Sequence, residues 1–285
     1  MMCASYPQPA TELKPLHADP RQSGHTERRD DWDFENKMTI LALVVFGIWA
    51  TFRAFGNVYT EAGVEGYLPH ILSPFFSPPL QKWFPEFFET YPFLKAIPAF
   101  LVMWVPVGFR GTCYFYRRAY YRAFFRDPAG CGVNEDPNNT HGYTGERRFP
   151  FVIQNLHRYF FYLALAFSVL HIYHVWEAMH FITPDHSQHK FGMSLGTLVM
   201  LADAILLTAY VTSCHSWRHL LAGKLDCFSC TNFNEGRHEA WKLQTWLNER
   251  HMQLAWISLA TVGLADVFVY FVASGKWKDV LLFAF

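Results

Sequence analysis

Six Cys and His side chains carry the chemistry of a redox or metal site. Cys113 stands in Gly111-Thr-Cys-Tyr-Phe-Tyr-Arg-Arg, and His157 in Gln154-Asn-Leu-His-Arg-Tyr. Cys214, His215 and His219 stand in Ser213-Cys-His-Ser-Trp-Arg-His, and His251 in Asn248-Glu-Arg-His-Met. Each borders a long apolar run. Two imidazoles alone would ligate a haem between helices; two thiolates with two imidazoles suit a [2Fe–2S] centre of Rieske type. Zinc accepts the same four donors. A second four-ligand set pairs Cys227 and Cys230 with His215 and His219, the histidines sharing a helix face at i,i+4. Against it, Leu225–Cys230 reads as a polar loop. Cys3 and Cys131 read as free thiols.

The elements that must position these side chains are membrane helices. Only 17% of residues are charged while 51% are apolar and 18% aromatic, which excludes an ordinary soluble domain. Five runs are long enough to cross a hydrocarbon core, at about 38–56, 94–115, 151–181, 193–215 and 252–274. Pro98 and Pro106 fall in the second and read as kinks. The expected fold is an all-α integral membrane protein: a tail over 1–37, a five-transmembrane-helix bundle over 38–275, and a short tail over 276–285. With the N-terminus in the cytoplasm, 18 of the Lys and Arg residues fall inside and 6 outside, so the C-terminus is expected outside. The six reactive side chains then share one level near the cytoplasmic face, on four helices. Structural disulfides are not expected on that reducing side.

The outer connection, 57–92, is dense in Pro and aromatic residues and reads as an interfacial cap. No internal repeat and no nucleic-acid motif stands out. A deeper polar set lies toward the outside: Asp203 is roughly 16 Å from Cys214 along its helix, Asp266 roughly 22 Å from His251, and His171 roughly 21 Å from His157, with His174 on nearly the same face. Ionisable groups at that depth are costly. They suit a proton path, a distal ligand site or a hydrogen-bond network that locks the bundle.

The four stretches around Cys113, His157, Cys214 and His251 resemble the membrane anchors of actinobacterial succinate dehydrogenase or fumarate reductase, from about residue 38 to 275. The nearest likeness is to the mycobacterial type with a single membrane subunit. That resemblance implies a flavoprotein and an iron–sulfur subunit on the cytoplasmic face of the bacterial plasma membrane. It also implies electron transfer from succinate to quinone, menaquinone or a ubiquinone analogue. Many such anchors bind haem b; the mycobacterial type has a membrane-embedded Rieske-type [2Fe–2S] cluster. The implied ligands are Cys113 and Cys214 with His157 and His251, His215 and His219 being close substitutes. No Cys-x-His box of a soluble Rieske domain occurs, so packed helices must supply the ligands. A quinone nearby would need aromatic walls and hydrogen-bond donors, and Tyr114, Arg117, Arg158, Tyr159, Trp217 and Arg218 lie at the right height. The competing expectations are a haem-only cytochrome b and a purely structural anchor or transporter.

Overall fold

The computed structural model describes residues 34–55, 60–125, 147, 149, 151–223 and 225–285. Residues 1–33 of the expected tail, Cys3, Cys131, Arg126, Arg148 and Lys224 lie outside the described residues.

Four helices are long and apolar enough to cross a membrane. They are Phe34–Ala54 (α1), Val152–Ala178, Leu195–Thr212 and His251–Ala273. The expected second span is shorter than the sequence suggests. Its residues divide into a 3-10 turn at Pro92–Ala96 and a helix at Pro98–Gly111. Proline fits the first turn of a helix and disfavours helical geometry before it, so Pro98 sets the start. At 14 residues the helix is about 21 Å long. It nevertheless packs into the same bundle, against α1 and the helix that follows.

Two short helices precede it, Leu80–Trp83 (α2) and Pro85–Thr90 (α3), so Pro98–Gly111 is α4. After it come Tyr114–Tyr120 (α5) and His157–Ala178 (α6), the latter entered through a 3-10 turn at Phe151–Leu156. The remaining helices are Leu195–Thr212 (α7), His215–Ala222 (α8), Asn232–Glu249 (α9) and His251–Ala273 (α10). The core runs α4–α6–α7–α10, with α1 laid on its flank. Most of α1 faces outward: Leu41, Val45, Ile48 and Phe52 are all more than half exposed, as lipid contact requires. A Cβ on Gly108 would run into the Phe160 ring, so glycine allows α4 and α6 their close approach.

The ends of the bundle differ. At one, α8 and α9 form a polar helical hairpin. At the other, the 60–92 connection is more than a surface cap. Its strands Glu61–Ala62 (β1) and Ile71–Leu72 (β2) pair antiparallel, and the turn at Pro74–Phe76 drives Phe75 and Phe76 into the bundle, each 5% exposed. Trp83, Phe84, Phe87, Tyr91 and Phe93 remain exposed, as an interfacial belt would be. Residues 276–285 are likewise more than a tail. Leu281–Ala284 (β5) pairs with His189–Ser194 (β4), which pairs with His180–Ile182 (β3).

His70 ties these two outer pieces together, with Nε2 3.3 Å from Ser194 Oγ and 3.6 Å from Asp279 Oδ2. Burial holds its imidazole below the ordinary 6.5, against the pull of Asp279. The ring therefore binds a proton more readily in the unfolded chain. Its stabilising contribution is present above about pH 6.5 and is lost as pH falls through the lower folded value. The protection of β4 and β5 amides against exchange, taken relative to the intrinsic rate at each pH, is expected to fall on acidification, and His70→Asn is expected to flatten that dependence.

Candidate metal centre

Cys113 and Cys214 occupy equivalent places. Each follows the end of a core helix (α4 or α7) by two residues, and each is the N-cap of the short helix beyond it. Their backbone angles nearly coincide, φ −68° and ψ 131° for Cys113 against φ −63° and ψ 142° for Cys214. This extended residue turns the chain and points both thiols inward, where each is 3% exposed. His157 and His251 open α6 and α10, so four helix ends supply the four side chains.

The four are cross-braced. His157 Nε2 lies 3.1 Å from Cys214 Sγ, and its Nδ1 lies 3.0 Å from Thr112 Oγ1. His251 Nε2 lies 3.5 Å from Cys113 Sγ, and its Nδ1 lies 2.6 Å from Ser213 Oγ. Each histidine thus bonds the hydroxyl beside one cysteine and meets the thiol of the other. Thr112 donates to Gly108 O, and Ser213 donates to Tyr210 O, both at 2.7 Å. With the hydroxyl protons so committed, both Nδ1 atoms are donors, and both Nε2 atoms keep a lone pair aimed at sulfur. That is the ligating tautomer. His157 stacks on Phe109 at 4.8 Å, and His251 on Tyr210 at 5.1 Å.

Further bonds fix the frame. Gln244 donates to the Thr212 and Cys214 carbonyls and Asn248 to that of Ser213, so α9 caps the orphan end of α7. Arg110 donates to Tyr116 Oη, Ala255 O and Ser258 Oγ and lies 4.6 Å from the centre of the Tyr210 ring. The Ser216 N–H lies 3.4 Å from Cys214 Sγ and donates toward it.

These residues could hold iron or another thiophilic metal. Among the described residues, no three His, Cys, Asp or Glu converge on one point. The donors meet as two His–Cys pairs, His157 with Cys214 and His251 with Cys113. A haem between His157 and His251 would need both Nε2 atoms facing an open slot, whereas here each faces a thiol. Thr112→Val or Ser213→Ala should unlock one imidazole and lower retention of bound metal about 10- to 100-fold. Metal analysis after graded chelation would measure this, and Thr112→Ser should restore it.

The other expected site residues are placed as follows. His215 and His219 bond each other, Nε2 to Nε2 at 2.9 Å, on the exposed face of α8 and not beside the thiols. Contrary to the expectation of reduced thiols, Cys227 and Cys230 are joined in a disulfide. The x-x spacing leaves their Cα atoms 5.7 Å apart, within bonding reach. Tyr114, Arg158 and Tyr159 are exposed around the cluster; Arg117 lies over the Tyr114 ring and Arg218 over Trp241. Trp217 packs near Phe161. Asp266 is fully engaged by Arg53, Trp49 and Ser73. Asp203, His171 and His174 line cavities deeper in the bundle.

Thr112, Ser213, Phe109, Tyr210 and Arg110 are not among the site residues expected from sequence. A local repeat marks most of them. Around each cysteine stand an aromatic at −4 (Phe109, Tyr210), a hydroxyl at −1 (Thr112, Ser213), an aromatic at +3 (Tyr116, Trp217) and Arg at +4 (Arg117, Arg218).

Fold and cluster define a helical membrane subunit with a buried Cys/His centre at one end of its bundle. The chain belongs to the family of actinobacterial succinate dehydrogenase membrane subunits. The family described as "Actinobacterial succinate dehydrogenase subunit SdhC" matches residues 34–275. A chain of the Mycobacterium smegmatis Sdh1 complex in the apo form is similar, with 35% identity and a TM-score of 0.73 over 94% of this chain and 97% of that one. No curated protein sequence gives a significant match. The protein is therefore a membrane subunit of a succinate dehydrogenase complex.

Proposed function

We propose that this subunit passes electrons from an iron–sulfur partner to quinone through a [2Fe–2S] centre held by Cys113, Cys214, His157 and His251. The observation that carries this is the reciprocal bracing, in which two buried thiols each meet the Nε2 of one histidine, whose Nδ1 lies on the hydroxyl beside the other cysteine. When bound, such a cluster supplies a one-electron relay.

The chain's own residues do the rest. Thr112 and Ser213 orient the imidazoles. Phe109, Tyr210 and Trp217 exclude water from the sulfurs, keeping the local dielectric low. Tyr114, Arg117, Arg158, Tyr159, Trp217 and Arg218 surround the cluster end with rings and donors, which suits a quinone head and its developing oxyanion charge. The α8–α9 hairpin at that end suits docking of the iron–sulfur subunit, with the flavoprotein beyond it. Charge sidedness supports a cytoplasmic position for this end, with α4 as a fifth crossing of the plasma membrane beside the four longer helices.

Purification through a tag on this chain tests the proposal. Flavin- and iron-bearing subunits should copurify, and the complex should reduce a menaquinone analogue with succinate. A tagged chain that comes out alone, or a complex that reduces only soluble dyes, would contradict it.

A further inference from the structure

A line of buried polar side chains runs from the Cys/His cluster toward the opposite end of the bundle, and the electron relay uses none of them. A cavity of about 90 Å³ has Phe109, Arg110, Tyr210, Ser168, His171 and Ser77 among its walls. Phe109 and Tyr210 are the rings that stack on the two histidines, so this cavity begins at the cluster. A second cavity, about 10 Å³, shares Ser77 and His171 with the first and adds His174 and Asp203. Beyond it, His174 Nε2 lies 3.9 Å from Glu177 Oε2, whose side chain is 54% exposed at the far end.

Polar atoms in these walls are buried without a partner among the described residues: His171 Nε2, His174 Nε2 and Asp203 Oδ1. An unmet group of this kind is costly unless water or a ligand meets it. One water needs about 10–15 Å³ by this measure and two to four polar partners, so the smaller cavity has room for one, and the larger, mostly apolar in its walls, offers partners only at His171, Ser168, Ser77, Arg110 and Tyr210 Oη. His171 donates through Nδ1 to Phe167 O at 3.1 Å, which leaves Nε2 a proton acceptor aimed at the cavities. His174 Nδ1 meets Ser77 Oγ at 2.7 Å, and its other nitrogen faces Glu177. Asp266 takes no part, because both of its oxygens are held.

We infer that Glu177, His174, Asp203 and His171, with the water between them, form a proton conduit from the far end of the bundle to the Cys/His end. It rests on the function proposed above and names the source of the protons consumed there. Succinate loses two electrons and two protons to give fumarate on the partner subunits. Quinone gains two electrons from that oxidation and two protons from the conduit to give quinol. Arg110, fixed at the cluster end by Tyr116, Ala255 and Ser258, opposes the entry of a stray proton. Its charge is offset when an electron arrives, and this ties proton entry to electron transfer.

The whole complex in liposomes with a pH dye entrapped tests this. Added succinate drives only molecules whose succinate site faces outward, and their far ends face the lumen. Lumenal alkalinisation should accompany quinone reduction and collapse with an uncoupler. It should be lost in Asp203→Asn and His174→Gln and return in Asp203→Glu. A lumen that stays at constant pH during turnover overturns the conduit while leaving the electron relay intact. So does alkalinisation unchanged by Asp203→Asn. A complex with no quinone reductase activity removes the relay and the conduit together.

Discussion

Cys214→Ser is expected to abolish quinone reduction while leaving the complex assembled and able to oxidise succinate with a soluble dye. Serine keeps the size and the N-cap role, since its oxygen can accept from Ser216 N as the sulfur does. What it loses is thiolate chemistry, because a serine hydroxyl does not ionise near neutral pH and is a poor ligand for iron. His157 then faces an alcohol, and one corner of the brace is gone. Quinone reductase activity should fall by about a hundredfold or more, the scale seen when members of one catalytic unit are removed. Cys113→Ser should do the same through His251. The double variant should be no worse than either single one, because residues acting as one unit are not additive. Two independent, multiplying losses would mean that the cysteines serve different purposes.

The second large effect concerns stability. Arg53 and Asp266 are 1% and 0% exposed and join α1 to α10 through Nε at 3.0 Å, with Trp49 and Ser73 on the same carboxylate. Arg53 also lies over Phe76 at 4.9 Å and Tyr270 at 5.1 Å. Removing one partner leaves a buried charge unpaired, which costs about 3–5 kcal/mol. Arg53→Ala is therefore expected to lower thermal stability of the purified complex strongly. Arg53→Met with Asp266→Leu, which removes both charges but keeps volume, should recover most of it. If the double variant is as unstable as the single, the pair's hydrogen bonds to Trp49 and Ser73 matter more than charge balance.

The two predictions differ in how visible their residues are in the sequence. Cys113, His157, Cys214 and His251 announce themselves because each is a soft or titratable residue at the end of an apolar run. A depth count alone brings them level. Thr112 and Ser213 do not, because hydroxyl residues are common and these matter only where α4 and α7 stop two residues short of a cysteine. The same blindness applies to helix rotation: the i,i+4 spacing puts His215 and His219 on one face of α8, but not on which face. Asp203 and Asp266 look alike in sequence. One keeps an oxygen without a partner among the described residues; the other finds an arginine 213 residues away, a pairing that only tertiary packing creates. Pro98 was visible but read as a kink, whereas it starts α4 and shortens that helix.

An iron–sulfur cluster in the Cys/His brace, as proposed, and a haem there leave different chemical signatures. Iron, acid-labile sulfide and haem should be measured together in the purified complex and in its Cys113→Ser, Cys214→Ser variant. The variant is expected to lack two irons and two sulfides per complex, together with a Rieske-like EPR signal, and neither form is expected to carry stoichiometric haem. A sharp Soret and α band from stoichiometric haem, with iron and sulfide unchanged by the variant, would contradict it.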